Sequence, residues 1–303
     1  MKVEAIEPHG FCQGVKAAVE KAGRTLDAHK GCPVYCLHQL VHNEHVVAML
    51  ESRGMVFVDA IDAVPEGAVL MFSAHGVSPS LKREAAKRGL EVIDATCPFV
   101  DRAHARLRDF AARGVPVAIV GREGHVEVQG LVGEMEGAEY RVVLSAADVA
   151  ALPFDPARPV GVVCQTTLSV EETDSVLAAL GARYPLLEKT PSEGTCFATR
   201  DRQAAVRAFV RGGGDGVLVL GSEKSSNTLR LVEVARAAGA RAWRAGTAAE
   251  LSACSFEGVS RLGVTSGAST PEEFFDEVMG TLAANSRRGL GANRTFLGRL
   301  RQL

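Results

Sequence analysis

The sequence predicts an α/β fold built from small parallel sheets with helices on both faces. Short apolar runs such as AVLMFSA and GVLVL alternate along the chain with segments that are rich in Ala, Leu, Arg and Glu. Strands that are apolar throughout are typical of parallel sheets covered on both sides. The length of 303 residues favours two or three small lobes over a single large one.

The elements follow one recurring order, in which a strand ends in a cluster of Gly, Ser, Thr, His or Cys and a helix follows. The clusters are EPHGFCQG after KVEAI, HGVS after AVLMFSA, GREGHVE after PVAIV, GSEKSSN after GVLVL, and SGAST after RLGVT. Helices are predicted over 15–29, 229–240 and 270–284, the last with Thr270 as N-cap. Parallel sheets bind ligands at the carboxyl ends of their strands, where these clusters lie.

Breaks in the pattern of strands and helices predict the domain boundaries. Breaks near 97–101 and 187–196 divide the chain into lobe 1 over 1–97, lobe 2 over 98–195 and lobe 3 over 196–284, followed by an arginine-rich tail over 285–303. Lobe 1 includes the N-terminal strand together with Cys12 and Cys97.

Charge and hydropathy exclude several classes of protein. A net charge of −2 gives no reason to expect nucleic acid or an anionic membrane surface as a partner. The N-terminus lacks the pattern of a signal peptide, and no apolar run approaches the ~20 residues that span a bilayer. We therefore expect a cytoplasmic protein with neither a membrane nor a nucleic-acid partner.

Three of the seven cysteines share a Gly, Thr or Pro context: Cys12 in GFCQG, Cys97 in ATCPF and Cys196 in GTCFAT. Cysteines in a reducing compartment are buried apolar groups, metal ligands or catalytic groups rather than disulfides. Three thiolates at a common centre would suit an iron–sulfur cluster with one open iron, because fully ligated clusters take four cysteines. Taken alone, each is better interpreted as a buried thiol.

Three histidines and two helix starts predict an anion site. His42, His75 and His125 lie in VHN, SAHG and GHVE, and the SSN at 225–227 and the GAST at 267–270 each precede a helix. Such side chains, with the N–H groups of a helix start, bind anions. The alternative is a hydrogen-bonded structural role for each histidine and plain N-capping for the serines and asparagine. Standard nucleotide loops are not indicated.

Glu127 stands two residues after His125. A carboxylate close to an anion site is costly unless it is protonated, so Glu127 is a candidate general acid with a raised pKa. The alternative is a solvated surface glutamate. Thr166 and Thr167 in QTTLS offer two hydroxyls that either relay a proton or start a turn.

The order of these motifs resembles the LytB/IspH family of 4-hydroxy-3-methylbut-2-enyl diphosphate reductases. The resemblance covers nearly the whole chain in nine motifs, which are GFC (10–12), VHN (41–43), SAHGVS (73–78), DATCP (94–98), GH-x-E (124–127), QTTLS (165–169), C-x-AT (196–199), SSN (225–227) and GAS (267–269). It implies three similar α/β lobes, each a small parallel sheet flanked by helices, around a central iron–sulfur cluster.

The resemblance also implies roles for particular residues. Cys12, Cys97 and Cys196 would hold a [4Fe–4S] cluster whose fourth iron takes the substrate hydroxyl. Glu127 would donate the proton, with Thr166 beside the substrate alcohol and Thr167 as its neighbour. The implied diphosphate-binding set is His42, His75, His125, Ser225, Ser226, Asn227 and Ser269.

The implied reaction converts (E)-4-hydroxy-3-methylbut-2-enyl diphosphate to isopentenyl diphosphate and dimethylallyl diphosphate, the last step of the methylerythritol phosphate isoprenoid pathway. Because such a cluster takes electrons singly, a ferredoxin- or flavodoxin-type electron donor is also implied. One alternative is a paralogue that acts on a related allylic diphosphate, because the sequence departs from the family pattern at six positions. These are Gln13, Gln39, Val126, Asp201, Lys224 and Thr228. A non-catalytic redox sensor and a zinc hydrolase are further alternatives, but neither needs Glu127 together with a diphosphate set.

Overall fold

The computed structural model describes residues 1–189 and 194–287, so that most of the predicted arginine-rich tail lies outside the described residues. The chain divides into two compact units. The smaller unit contains Met1–Cys12, His42–Val46 and the described residues from Phe197 to Arg287. The larger unit contains Gln13–Val41 and Val47–Cys196.

Three four-stranded parallel sheets contain all the strands of the described residues. In chain order the strands are β1 (Lys2–Ala5), β2 (Val34–Leu37), β3 (Met55–Val58), β4 (Val69–Phe72), β5 (Glu91–Asp94), β6 (Val117–Val120), β7 (Tyr140–Val143), β8 (Val160–Cys164), β9 (Leu187–Glu188), β10 (Gly216–Leu220), β11 (Arg241–Ala245) and β12 (Arg261–Ser266). The strand orders are β3-β2-β4-β5 and β7-β6-β8-β9 in the larger unit and β1-β12-β10-β11 in the smaller unit.

Helices connect these strands. In chain order they are α1 (Gln13–Ala28), α2 (Glu44–Ser52), α3 (Pro79–Lys87), α4 (Pro98–Ala112), α5 (Val126–Gly133), α6 (Ala146–Ala150), α7 (Val170–Arg183), α8 (Phe197–Arg211), α9 (Ser226–Ala237), α10 (Ala248–Ala253) and α11 (Glu272–Arg287), with a 3-10 turn at Ile61–Ala63. The predicted helices correspond to α1, α9 and α11. Thr270 precedes α11 and donates its hydroxyl to the carbonyl of Leu220 at 3.0 Å, while the helix begins at Glu272.

The central strands β6 and β10 are apolar on both sides because each of them lies between two cores. In β6, Val117 and Ile119 pack with α4 and α5, whereas Ala118 and Val120 belong to a second core that includes residues of α7. In β10 of the smaller unit, alternate residues are likewise divided between two cores. The prediction of small parallel sheets flanked by helices is confirmed.

The N-terminal strand lies in the sheet of the smaller unit. β1 pairs with β12 in parallel, with Lys2 opposite Arg261, and therefore joins strands from the C-terminal part of the chain. The sheet over 34–94 is formed by β2 to β5 alone. The lobe boundaries at 97, 195 and 284 stay a prediction.

Each sheet reverses its strand order between two central strands: β2 and β4, β6 and β8, and β10 and β12. Loops that leave the carboxyl ends of such neighbouring strands diverge and open a crevice, where parallel sheets bind ligands. The ten residues predicted for proton transfer and diphosphate binding lie in the loops after these six strands or in the first turn of the helix that follows.

Candidate functional site

Glu127 lies in the first turn of α5 and is buried, with 2% of the residue exposed. Thr166, in the loop after β8, donates its backbone N–H to Glu127 Oε1 at 2.7 Å and its hydroxyl to Oε2 at 3.1 Å. Burial raises the pKa of Glu127 to about 7, against the opposing effect of both hydrogen bonds from Thr166. The carboxyl therefore carries its proton for part of the time near neutral pH, as an acid catalyst requires.

Two predicted histidines lie in the same unit as this acid, and one of them is the N-cap of its helix. His125 caps α5, and its Nδ1 accepts the backbone N–H of Glu127 at 3.2 Å. Because Nδ1 accepts, the neutral ring carries its proton on Nε2, which is the nitrogen that can donate to an anion. The ring of His75 lies 6.3 Å from that of His125, and Ser73 Oγ is 3.2 Å from His75 Nδ1. The structural and anion-binding interpretations of His125 are thus compatible.

The larger unit also places two predicted cysteines at helix starts. Cys97 is the N-cap of α4, and its N–H donates to the carbonyl of Ala74, next to His75, at 3.0 Å. Cys196 directly precedes α8, and its N–H donates to the carbonyl of Thr166 at 3.1 Å. The partial positive charge of a helix N-terminus stabilises a thiolate. Both thiols are half-buried, as suits a ligand that an incoming metal must reach.

Gln165, which the sequence did not single out, orders the loop of Thr167. Its side chain is fully buried, and Nε2 donates to Thr167 Oγ1 at 3.0 Å. Its Oε1 accepts the backbone N–H of Arg122 at 2.9 Å, in the loop that leads to His125. The buried amide thus joins the loops after β6 and β8. Only its position between a strand and two threonines could have indicated it.

In the smaller unit, Cys12 directly precedes α1, as Cys97 and Cys196 precede their helices. Its N–H donates to the carbonyl of Ala268 in the GAS motif at 3.0 Å. Arg202, which is 3% exposed, donates through Nη2 to the carbonyl of Gly10 at 2.8 Å. This guanidinium holds the loop of Cys12, and the sequence did not reveal it because α8 and Gly10 are distant along the chain.

Three further anion-site candidates of the smaller unit, which are His42, Asn227 and Ser269, make hydrogen bonds at or next to the GAS motif. Asn227 Oδ1 accepts the N–H of Ala268 at 3.0 Å, and Asn227 Nδ2 donates to Thr199 Oγ1 at 3.0 Å. Ser269 Oγ donates to the carbonyl of His42 at 3.0 Å.

The two predicted serines lie at the start of α9. Ser225 caps the helix by accepting the N–H of Thr228 at 3.3 Å, and Ser226 is the first residue of the helix. Ser225 is therefore an N-cap, as the structural interpretation predicted. A helix N-terminus with two hydroxyls can also donate hydrogen bonds to a phosphate.

The other cysteines differ from these three. Burial raises the pKa of the Cys36 thiol to about 12, so it stays protonated and is a poor ligand. Cys164 lies in the core, and Cys254 donates to the carbonyl of Glu250 at 3.5 Å. All seven cysteines lie in the described part of the chain, where none forms a disulfide.

The three candidate cysteines are chemically suited to an iron–sulfur cluster. Within residues 1–189 and 194–287, no group of three or more His, Cys, Asp or Glu side chains is close enough to hold one ion. A cluster binds its thiolates through separate iron atoms. Cys12, Cys97 and Cys196 each directly precede a helix. Chemically, the described residues offer candidate anion donors, a carboxyl with a raised pKa and three candidate cysteine ligands.

Comparison with known proteins agrees with this chemistry. The LytB protein family matches residues 3–283. The 4-hydroxy-3-methylbut-2-enyl diphosphate reductase of Cutibacterium acnes is 45% identical over 282 residues, which are 93% of this chain and 86% of that protein. The reductase of the same name from Rhodococcus opacus is 45% identical over 272 residues, covering 89% and 80%.

Solved structures agree with the sequence relatives. The E-1-hydroxy-2-methyl-but-2-enyl-4-diphosphate reductase from Plasmodium falciparum matches with a TM-score of 0.88 and 33% identity, covering 92% of this chain and 87% of that chain. A second structure, of (E)-4-hydroxy-3-methyl-but-2-enyl diphosphate reductase, has a TM-score of 0.65 and 30% identity, covering 92% and 98%. Among the described helices, none combines the length and apolarity needed to cross a membrane. The resemblance found in the sequence is confirmed, and the chain belongs to the LytB family.

Proposed function

We propose that this chain is a 4-hydroxy-3-methylbut-2-enyl diphosphate reductase, the enzyme for which its relatives are named. It would convert the (E)-hydroxy-diphosphate to isopentenyl diphosphate and dimethylallyl diphosphate, as the terminal enzyme of the non-mevalonate (methylerythritol phosphate) pathway. The observation that carries the proposal is the buried Glu127 carboxyl, with a pKa of about 7, beside His125 and His75. Donors for a diphosphate next to a protonated acid suit the loss of a hydroxyl from such a substrate.

The reaction takes up two electrons and two protons. The allylic C–O bond breaks, the hydroxyl leaves with one proton as water, and the second proton is added to carbon. Glu127 is the proposed source of the first proton, because its environment holds the neutral carboxyl near neutral pH. Thr166 fixes both carboxyl oxygens, so that the acid is oriented before the substrate binds.

The cofactor of the LytB family is an iron–sulfur centre, and we propose that here it is a [4Fe–4S] cluster held by Cys12, Cys97 and Cys196. When bound, it supplies electrons one at a time and a Lewis-acidic iron for the departing oxygen. Thr166 ties the acid to the Cys196 backbone, which supports a role for Glu127 close to the cofactor. A ferredoxin- or flavodoxin-type donor and a cytoplasmic location also belong to the proposal and rest on the family resemblance.

The diphosphate is proposed to bind the set that was predicted from the sequence. In the larger unit, His75 and His125 offer ring N–H groups. In the smaller unit, the N-terminus of α9 offers hydroxyls and an amide, and Ser269 donates its hydroxyl to the backbone carbonyl of His42. These donors are His42, His75, His125, Ser225, Ser226, Asn227 and Ser269, and Thr167, next to Thr166, is a further proposed substrate-binding residue. Holding the non-reacting diphosphate lets binding energy position the hydroxyl for reaction.

Turnover of the hydroxy-diphosphate tests this proposal. Anaerobically purified protein is mixed with the substrate and a chemical reductant, and water-forming reduction is followed by the appearance of both isopentenyl and dimethylallyl diphosphate. We expect product from the parent chain and from Glu123→Gln, a variant of an exposed carboxyl in the loop that precedes α5.

Three results would contradict the proposal. Iron content without any turnover would identify a sensor that has kept the scaffold. Turnover of a related allylic diphosphate alone would identify a paralogue. A colourless protein with stoichiometric zinc would contradict a reductive reaction.

A further inference from the structure

One buried ion cluster in the larger unit plays no part in the proposed chemistry. The side chains of His104 and Glu134 are only 4% and 2% exposed, and His104 Nδ1 lies 2.8 Å from Glu134 Oε1. Arg108 donates to the same oxygen at 2.9 Å. Burying ionisable side chains costs free energy that their mutual contacts often do not offset, so the burial of His104 and Glu134 indicates that their contacts have a structural role.

This cluster joins two helices that carry candidate site residues at their N-termini. His104 lies in α4, whose N-cap is Cys97. Glu134 is the C-cap of α5, whose N-cap is His125 and whose first turn contains Glu127. A helix is stiff over such short lengths, so the contact between His104 and Glu134 fixes the two helix starts relative to each other.

The His104 ring also supports the turn that carries His75. Gly76 has φ +76°, and a Cβ there would lie 2.6 Å from His104 Nε2. A Cβ on Gly130 of α5 would lie 3.2 Å from His104 Cε1 and 3.4 Å from the carbonyl oxygen of Gly76. The imidazole is therefore packed between the His75 turn and α5, and its size sets the spacing of these two segments.

We propose that His104 and Glu134 are positioning residues for the proposed site. They hold the turn of His75, the helix of Cys97 and the helix of His125 in one arrangement. The 6.3 Å separation of the His75 and His125 rings depends on that arrangement. The inference rests on the proposed function, because that function assigns the diphosphate to these two rings.

The test compares two variants of the cluster with a matched surface control. Glu134→Ala removes the carboxylate that His104 and Arg108 contact. His104→Asn keeps a nitrogen near the Nδ1 position but removes the part of the ring that packs against Gly76. The control is Glu136→Ala, which removes an exposed ion pair with Arg83. Such surface pairs contribute little. Amide hydrogen exchange over 73–78 and 122–128 is measured for each protein, together with KM, kcat and Tm.

We expect faster exchange in both segments and a KM for the hydroxy-diphosphate about tenfold higher in the cluster variants, with kcat less affected. Glu134→Gln, which keeps an oxygen acceptor, should restore most of the affinity, and the Glu136→Ala control should match the parent chain. A lower Tm with exchange and KM at the control values would show a merely structural pair and overturn the proposal. An inactive parent chain would instead contradict the proposed function. Faster exchange in the variants would then show only that His104 and Glu134 hold these segments in place.

Discussion

Both carboxyl oxygens of Glu127 accept hydrogen bonds from one residue, Thr166, through its backbone N–H and its hydroxyl. The carbonyl of the same threonine accepts the N–H of Cys196. The proposed acid and one proposed cluster ligand are thus fixed by a single residue of the loop after β8. These hydrogen bonds lower the pKa of Glu127, while burial raises it. The pKa of about 7 is therefore set by the local geometry around the carboxyl.

Glu127→Gln should abolish most turnover while keeping the cofactor and the substrate. The amide has the shape of the carboxyl but has no acidic proton to donate, and loss of a general acid costs about a hundredfold or more in rate. Anaerobic kcat and iron content are measured for the variant, with Glu123→Gln as the control. Turnover within a few-fold of the parent chain would remove Glu127 from the mechanism.

Thr166→Val should lower activity and also move its pH dependence. The parent chain needs protonated Glu127, so its kcat/KM should fall as the pH rises through about 7. The Thr166 hydroxyl lowers the pKa of Glu127, and its removal should move the falling limb to higher pH. The pH profile of kcat/KM measures this shift.

Thr167→Val is the matched control for this pH experiment. The Thr167 hydroxyl accepts from Gln165 and makes no hydrogen bond to Glu127 among the contacts that the structure describes. Its removal should leave the position of the falling limb unchanged. An identical shift in both variants would show that the limb does not report the bond between Thr166 and Glu127.

Glu127→Gln should also change how stability depends on pH. The folded chain keeps the Glu127 proton up to about pH 7, whereas the unfolded carboxyl loses it near the ordinary value of 4.5. Stability due to the buried acid is therefore complete below pH 4.5 and is lost as the pH rises through 7. The variant has no such loss.

The gain in stability from Glu127→Gln, relative to the parent chain, should therefore grow from acidic to alkaline pH. The pKa difference corresponds to at most about 3 kcal/mol. Thermal unfolding of both proteins at about pH 5 and pH 8, with equal iron content, measures the difference. A constant offset between the proteins at both pH values would contradict a raised pKa.

Local patterns predicted the strands, the helices and the loops that carry the candidate residues, because strand composition and the clusters after the strands are properties of short segments. The raised pKa of Glu127 was also predicted, but from a nearby anion, whereas burial is its largest cause in the structure. Burial could not be inferred, since the buried carboxyl of Glu127 makes its hydrogen bonds to Thr166, which is distant in sequence.

The supporting residues were not predictable for the same reason. Gln165 reaches Arg122, Arg202 reaches Gly10, and His104 reaches Glu134, each across a gap in sequence that no local periodicity spans. The pairing of β1 with β12 is likewise a contact between opposite ends of the chain. Such contacts depend on topology, which a single sequence leaves open.

Serine substitution should separate the three proposed ligands from the other cysteines. Cys12→Ser, Cys97→Ser and Cys196→Ser should each lose most of the bound iron, because a serine hydroxyl is a harder and weaker ligand for iron–sulfur clusters. Cys32→Ser, at an exposed position, and Cys254→Ser should retain the iron of the parent chain. Iron and sulfide analysis with the visible spectrum measures this. Loss of iron in either control would reassign the ligands.

Asn227→Asp should weaken diphosphate binding more than its small change in shape suggests. The amide nitrogen donates to Thr199, and an aspartate has no N–H for that bond. Its negative charge would also be buried, since Asn227 is 4% exposed, and would repel a diphosphate in the proposed site. We expect the KM for the hydroxy-diphosphate to rise about tenfold or more.

Two comparisons decide what that KM change means. Asn227→Ala loses both hydrogen bonds without adding a charge, so a larger effect of Asp than of Ala isolates the repulsion of the diphosphate. Repulsion between charges weakens with salt, so the excess effect of Asp should shrink as ionic strength rises. Equal KM values for the Asp and Ala variants at all salt concentrations would mean that Asn227 supports the Ala268 loop and that the diphosphate binds elsewhere.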